Sequence, residues 1–344
     1  MSKAGTIQSF TPFWQSSSTG SWQPPSNLDN TQPWTMTSQV TLHHPNGYDL
    51  ESIDAQGIYS SAQYSEEIDV PVAVTANSKY SNSLFESFED YDYLRYDAYC
   101  NENDELIVNS NYNPVDMSRY QRHWYLWPNF IRGQGETLDR GWVTETNAHS
   151  GKRALELNPG AKDMVVTVAK QEHKEGCNAP AYQPTEDDFV PGFLPEAGTY
   201  ILTYWLKTDN PSDISVSLDY KEQFITLDEL DGDITVEGWK KVTREFTLSE
   251  DVDEDPLRIV LYNRTGNPVY IDDLRIFPKT ANMKSFVYDR QNLKVMAELD
   301  ENNFATFYEY DDQGALVRVK KETERGIMSV QESRNNLRSN PNEQ

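Results

Sequence analysis

The stretch Ile214-Ser215-Val216-Ser217-Leu218-Asp219-Tyr220 decides the fold class. Its apolar residues fall on every second position, the period of a β-strand with one buried face. Trp239–Leu248 repeats that period at Val242, Arg244, Phe246 and Leu248, with Arg244 the polar exception. Leu257, Ile259 and Leu261 continue it after an acidic turn at 251–256, and residues 200–206 are aromatic and β-branched. Short strands punctuated by turn residues predict an antiparallel sandwich. No 3.6-residue period is convincing before residue 320, so a helical fold is set aside. In residues 269–277 the alternation slips at Asp272-Asp273, as a β-bulge would make it slip. A bulge re-aims side chains; the plainer reading is an exposed acidic pair at a kink.

Composition narrows the function. The 344 residues suffice for about two domains, and 13 Phe, 8 Trp and 20 Tyr are enough to build cores. A net charge of −25 argues against a basic nucleic-acid binder, because phosphate would be repelled, and disfavours an anionic membrane surface. No run approaches the ~18 apolar residues of a membrane span. Residues 1–10 have no apolar signal core, which leaves a cytoplasmic chain or a piece of a larger exported protein. Cys100 and Cys177 match no zinc spacing; a disulfide between them or two separate thiols both remain open.

Outward from the sandwich the chain divides into five parts. Residues 1–37 are an extended, linker-like segment of Ser, Thr, Gln and Pro with isolated aromatics. Residues 38–83 read as hairpins, with turns at Pro45-Asn46-Gly47 and Asp54-Ala55-Gln56-Gly57. Residues 84–278 hold the sandwich, with an insertion at about 91–141. In 279–326 Phe286-Val287-Tyr288-Asp289 is echoed 22 residues on by Tyr308-Glu309-Tyr310-Asp311. Neither hairpin flank buries a core alone, so the two are expected to pack together. Residues 327–344 read as a disordered tail.

Tyr308-x-Tyr310-Asp311-x-x-Gly314-x-Leu316 resembles the Rhs/YD repeat. Residues 297–311 and 319–326 are similar to the C-terminal region of very large YD-repeat-related bacterial surface proteins, and Asp54–Tyr59, Pro71-Val72-Ala73-Val74 and Phe88-Glu89-Asp90 fit that family. The middle of the chain resembles the galactose-binding-like jelly rolls that include many carbohydrate-binding modules. The matching pieces are Phe88-Glu89, Ala148-His149-Ser150-Gly151-Lys152-Arg153-Ala154-Leu155, Gly198-Thr199-Tyr200, Gly238-Trp239 and Tyr270-Ile271-Asp272-Asp273-Leu274. The resemblance implies an all-β fold, a jelly-roll β-sandwich flanked by YD-repeat-type β-hairpins. It also implies a structural Ca2+ between an early acid, carbonyls of the His-Ser-Gly turn and the first late aspartate, here Glu89 and Asp272.

Two clusters carry binding chemistry. Tyr120, His123, Trp124, Tyr125, Trp127 and Phe130 lie within eleven residues. Sugar rings stack on such planes, which nominates Trp124, Tyr125 and Trp127 as glycan ligands; packing of the loop onto the core is the competing use. The acids of residues 86–97 read as a solvated face or a cation site. No Gly-x-Ser-x-Gly elbow, His-Glu-x-x-His or phosphate loop is present, and no carboxylate pair can be nominated for glycoside hydrolysis. The expectation is therefore a non-enzymatic adhesion and interaction module, extracellular or on the cell surface, with type IX secretion as the route the resemblance suggests. Its partners would be surface or secretion-system proteins, including upstream YD-repeat segments. A lectin-like glycan-binding module is the alternative, and a polysaccharide-active enzyme the least favoured.

Overall fold

A computed structural model describes residues 36–89 (except 45, 66 and 67), 141–160, 162–167, 192–208, 214–220, 223–227, 234–252 and 257–333. It also describes short strand segments at 15–16, 22–23, 98–100, 106–108 and 124–128. The described residues form strands and turns with one short 3-10 turn, Tyr80–Asn82.

Four strands open the fold: β1 (Ser38–His43), β2 (Asp49–Asp54), β3 (Tyr59–Tyr64) and β4 (Pro71–Ala76). The sandwich follows. Its strands are β5 (Leu84–Glu86), β6 (Trp124–Pro128), β7 (Gly141–Thr144), β8 (Ala154–Leu157), β9 (Lys162–Thr167) and β10 (Gly198–Lys207). They continue with β11 (Ile214–Tyr220), β12 (Gln223–Thr226), β13 (Thr235–Val236), β14 (Trp239–Leu248), β15 (Arg258–Asn263) and β16 (Val269–Pro278). The chain then returns to hairpins: β17 (Asn282–Tyr288), β18 (Val295–Leu299), β19 (Ala305–Tyr310), β20 (Leu316–Thr323) and β21 (Gly326–Glu332). The last strand runs through 332, where the sequence reading placed a tail from 327.

Three sheets are stacked. The nine-stranded hairpin sheet has the order β21-β20-β19-β18-β17-β4-β3-β2-β1. Both flanks belong to it, joined where β4 pairs with β17 and Ala76 lies opposite Asn282. The central sheet has the order β7-β8-β16-β10-β14-β13, with β5 also paired to β16, and the outer sheet has the order β6-β9-β15-β11-β12. One core lies between central and outer sheets: Leu202, Tyr204 and Leu206 meet Val216, Leu218, Ile259 and Leu261. A second lies between central and hairpin sheets, where Phe85 and Phe277 meet Met283, Val287, Ala297 and Leu299.

The central sheet is thus covered on both faces, and its polar residues must find partners inside. This explains the two sequence irregularities. Arg244 is buried and donates to the Leu227 carbonyl and the Tyr204 hydroxyl. The slip at Asp272-Asp273 is a bulge: Thr203 opposes Arg275 while Trp205 opposes Asp272, and Asp273 takes φ +51°.

The hairpin sheet repeats one turn. At Asp54, Asp300 and Asp311 the carboxylate accepts the main-chain N–H groups two and four residues on. The fourth residue of each turn has positive φ: Gly57, Asn303 and Gly314. At His44 the imidazole Nδ1 accepts the Asn46 N–H in the carboxylate's place. The 22-residue echo is therefore two 11-residue steps, each a strand plus a turn.

Candidate functional site

A cluster of buried polar side chains gathers where the loop 147–153 lies between the bulge of β16 and the hairpin sheet. His149 is buried, and its ring stacks on Trp205 at 4.1 Å and 14°. Nδ1 faces Asp273 Oδ2 at 2.7 Å and Nε2 faces Glu322 Oε1 at 2.9 Å. Ionised carboxylates only accept, so the imidazolium is the species that satisfies both contacts. Burial pulls the His149 pKa down, but the hydrogen bonds and charges of Asp273 and Glu322 carry it up to about 9. Glu322 Oε2 accepts the Ala305 N–H at 3.0 Å, and Ser150 Oγ donates to Asp273 Oδ1 at 2.7 Å.

Ser150, His149 and Asp273 are the residue types of a hydrolytic triad, arranged otherwise. The serine bonds the aspartate rather than the histidine, and carboxylates occupy both ring nitrogens, so the imidazole is not placed to take the hydroxyl proton. The grouping is a clamp between the two sheets. Trp205 Nε1 donates to the Asn303 carbonyl at 2.7 Å, and Asn303 Nδ2 donates to the Asp273 carbonyl at 3.0 Å. Arg275, fully buried, donates to Ser285 Oγ and to the Met283 and Asp300 carbonyls; burial lowers its pKa to about 10.

The predicted metal residues adjoin this clamp. Glu89 and Asp272 are buried, where the sequence reading favoured an exposed pair at the kink and a solvated acidic face that included Glu86 and Glu89; Glu86 is buried too. Asp272 Oδ2 accepts the N–H groups of His149 and Ser150, at 2.7 and 3.2 Å. Glu89 Oε1 accepts those of Lys152 and Arg153, at 2.6 and 2.7 Å. Burial lifts Glu89 to about 7 against these amides, with the charge of Asp273 adding to it. Asp272 is held well above the carboxylate range by burial and by the charges of Asp273 and Glu89. Glu89 thus acts on Asp272, and two buried carboxylates are the donor type a hard cation takes. Gly151, at φ +66°, lies against them: a Cβ there would sit 2.7 Å from Val287 Cγ1 and closer still to Glu89 Oε1. Among the described residues no group of three or more His, Cys, Asp or Glu is disposed around a metal, so further ligands would be carbonyls and water.

The aromatic candidates lie on β6, at the edge of the outer sheet and in the layer furthest from the hairpins. Their side chains lie outside the described residues; their main-chain register is described. Trp127 opposes Met164, Met164 opposes Val260, and Val260 opposes Ser217. Tyr125 heads the next row, through Val166 and Arg258 to Asp219. Cross-strand partners share a face. Val216, Leu218, Ile259 and Leu261 face the core, so these two rows belong to the outer face. Trp124, one residue from Tyr125, falls on the core-side face, which separates it from the other two candidates. Along that outer face Ser217 and Val260 are buried, whereas Ser215, Asp219 and Tyr262 are half-buried. The exposed Arg264 guanidinium lies 5.5 Å from the Tyr262 ring centre. Cys177 and residues 91–97 and 109–123 lie outside the described residues, as does the Cys100 side chain.

His149 stands in the Ala148–Leu155 motif with no local sign of its partners, and Glu322, 173 residues away, carries no such sign either. No protein-family model matches the chain, and no curated protein sequence does. Solved structures do. The CBM22-1 xylan-binding domain from Paenibacillus barcinonensis Xyn10C is similar at 13% identity and TM-score 0.27, covering 45% of this chain and 84% of that one. TmCBM61 in complex with β-1,4-galactotriose is similar at 15% and 0.24, covering 45% and 88%. CBM35 from Cellvibrio japonicus Abf62 is similar at 13% and 0.25, covering 46% and 95%. All three are carbohydrate-binding modules.

Proposed function

We propose that the chain is a non-catalytic glycan-binding module whose ligand face is the outer face of the five-stranded sheet. One observation carries this reading: the register sets Tyr125 and Trp127 at one edge of a face that also bears Tyr262 beside Arg264. Flat rings flanked by polar groups suit the C–H face and hydroxyls of a sugar. A glycan array on the purified chain tests it. Binding lost in Trp127→Ala and Tyr262→Ala, and kept in Trp124→Ala, supports the face; a blank array, or binding indifferent to all three, refutes it.

We also propose that Glu89 and Asp272 hold a structural Ca2+, which would add positive charge beside these buried acids to that of Arg153 near Glu89. A melting temperature that rises with Ca2+ and falls with chelator tests it; one unmoved by either counts against it. The repeated Asp-centred turns of the hairpin sheet support membership of a YD-repeat-type bacterial surface protein, exported by a type IX route, with upstream repeat segments as neighbours. Among the described residues no helix is long and apolar enough to cross a membrane. Surface labelling of intact cells that left the chain unmarked would remove the surface assignment.

A further inference from the structure

We infer that the hairpin sheet is a working part of the cation site: Ca2+ binding at Glu89 and Asp272 and docking of β17–β21 onto the sandwich are thermodynamically linked. This inference rests on the calcium reading above and goes beyond it. Its basis is that one loop serves both. The main-chain N–H groups of His149, Ser150, Lys152 and Arg153 fix the two acids. From the same residues, the His149 ring reaches Glu322 of β20, and Lys152 Nζ reaches Asp289 Oδ2, in the turn after β17, at 2.9 Å. Gly151 is pressed between Glu89 and Val287 of β17, with no room for a Cβ on either side.

The loop therefore has few ways to move at one end alone. Fixing the acids with a cation fixes the N–H groups that bond them, and with those the side chains that grip the hairpin sheet. Linkage is reciprocal: a sheet that holds the loop raises calcium affinity by the factor with which calcium favours docking. A jelly roll without such a sheet would lack this dependence. Neither β20 nor β17 contributes Glu89 or Asp272, so the sheet acts through the loop.

The test is hydrogen exchange on the full chain with Ca2+ and with chelator, joined to calcium titration of wild type and Val287→Ala. That substitution is neutral in charge and leaves Glu89 and Asp272 in place. At a Ca2+ concentration 100 times its Kd, amides of β17 and β20 should exchange roughly 100-fold more slowly, in step with those of 149–153. Val287→Ala should weaken calcium binding by about tenfold or more, with the sandwich still folded by circular dichroism. Protection confined to 149–153 and β16, with unchanged affinity in Val287→Ala, would overturn the linkage and leave the calcium reading standing. No calcium binding by the wild-type chain would overturn both. Because the exchange arm uses unmodified protein, it decides the matter even if Val287→Ala fails to fold.

Discussion

Replacing Glu322 should loosen the junction between the sheets more than any surface change could. The carboxylate is 1% exposed and has two partners, His149 Nε2 at 2.9 Å and the Ala305 N–H at 3.0 Å. Glu322→Ala removes a charge-assisted bond worth about 1.5–3 kcal/mol and orphans a buried N–H at about 1–3 kcal/mol. It also leaves the imidazolium with one carboxylate where it had two. Breaking one side of a buried pair costs roughly 3–5 kcal/mol, and we expect a loss in that range. Glu322→Gln keeps the shape but offers a single acceptor for two donors, so about 2–3 kcal/mol should be lost. The assay is urea unfolding followed by tryptophan fluorescence, since Trp205 stacks on His149. A loss below about 1 kcal/mol in Glu322→Ala would falsify the view that this carboxylate clamps the sheets.

Other predictions follow from the same junction. His149 has a folded pKa of about 9 against an ordinary imidazole value of 6.5. Its contribution is therefore complete below about pH 6.5 and drains away as pH rises through 9, by roughly 3 kcal/mol in all. Unfolding free energies across that window in calcium should decline for wild type and stay flatter for His149→Gln; parallel curves would sink the assignment. Gly151→Ala places a methyl group against Glu89 and Val287 at φ +66°, and should cost at least ~2–3 kcal/mol by thermal melting. Asn303→Gly suits the positive φ of the turn but deletes the bond to the Asp273 carbonyl, so a net loss of about 1 kcal/mol is expected, with a changed near-ultraviolet signal from Trp205. A variant more stable than wild type would mean that Asn303 serves the turn alone.

Much of the fold was legible because a strand with one buried face prints its period into the chain. Ile214–Tyr220 shows that period and lies on the outer sheet, one face on the core. β16 hid its pairing because both its faces are covered, so Asp272, Asp273 and Arg275 stand where alternation would call for apolar residues. The slip was readable as a bulge; what Asp273 reaches was not, since His149 lies 124 positions away. The repeat was read at half its density because the turn at Asp300 carries Asn303 in place of glycine, following a leucine rather than a tyrosine. That departure from the pattern marks the turn that docks. Trp205 belongs to the aromatic, β-branched run at 200–206, but it packs toward the hairpin sheet with Trp239 and Phe304, outside the main sandwich core. Spacing alone divides Trp124 from Tyr125 and Trp127 once 124–128 is a strand, but which set turns outward comes only from cross-strand register.

The pairing of Ala76 with Asn282 has a consequence for how the molecule assembles. Strands β1–β4 and β17–β21 are runs of neighbouring hairpins, each able to form locally and fast. Joining the two runs means closing a loop of roughly 200 residues, an entropic cost of about 5 kcal/mol that no hairpin can lower on its own. A folded sandwich removes most of it, because its first strand, β5, and its last, β16, lie paired side by side and bring both chain ends to the same place. The sandwich is then the template and the nine-stranded sheet the late product. Damage to its core should surface first as two unjoined hairpin arrays with bare edges, the kind of species that aggregates.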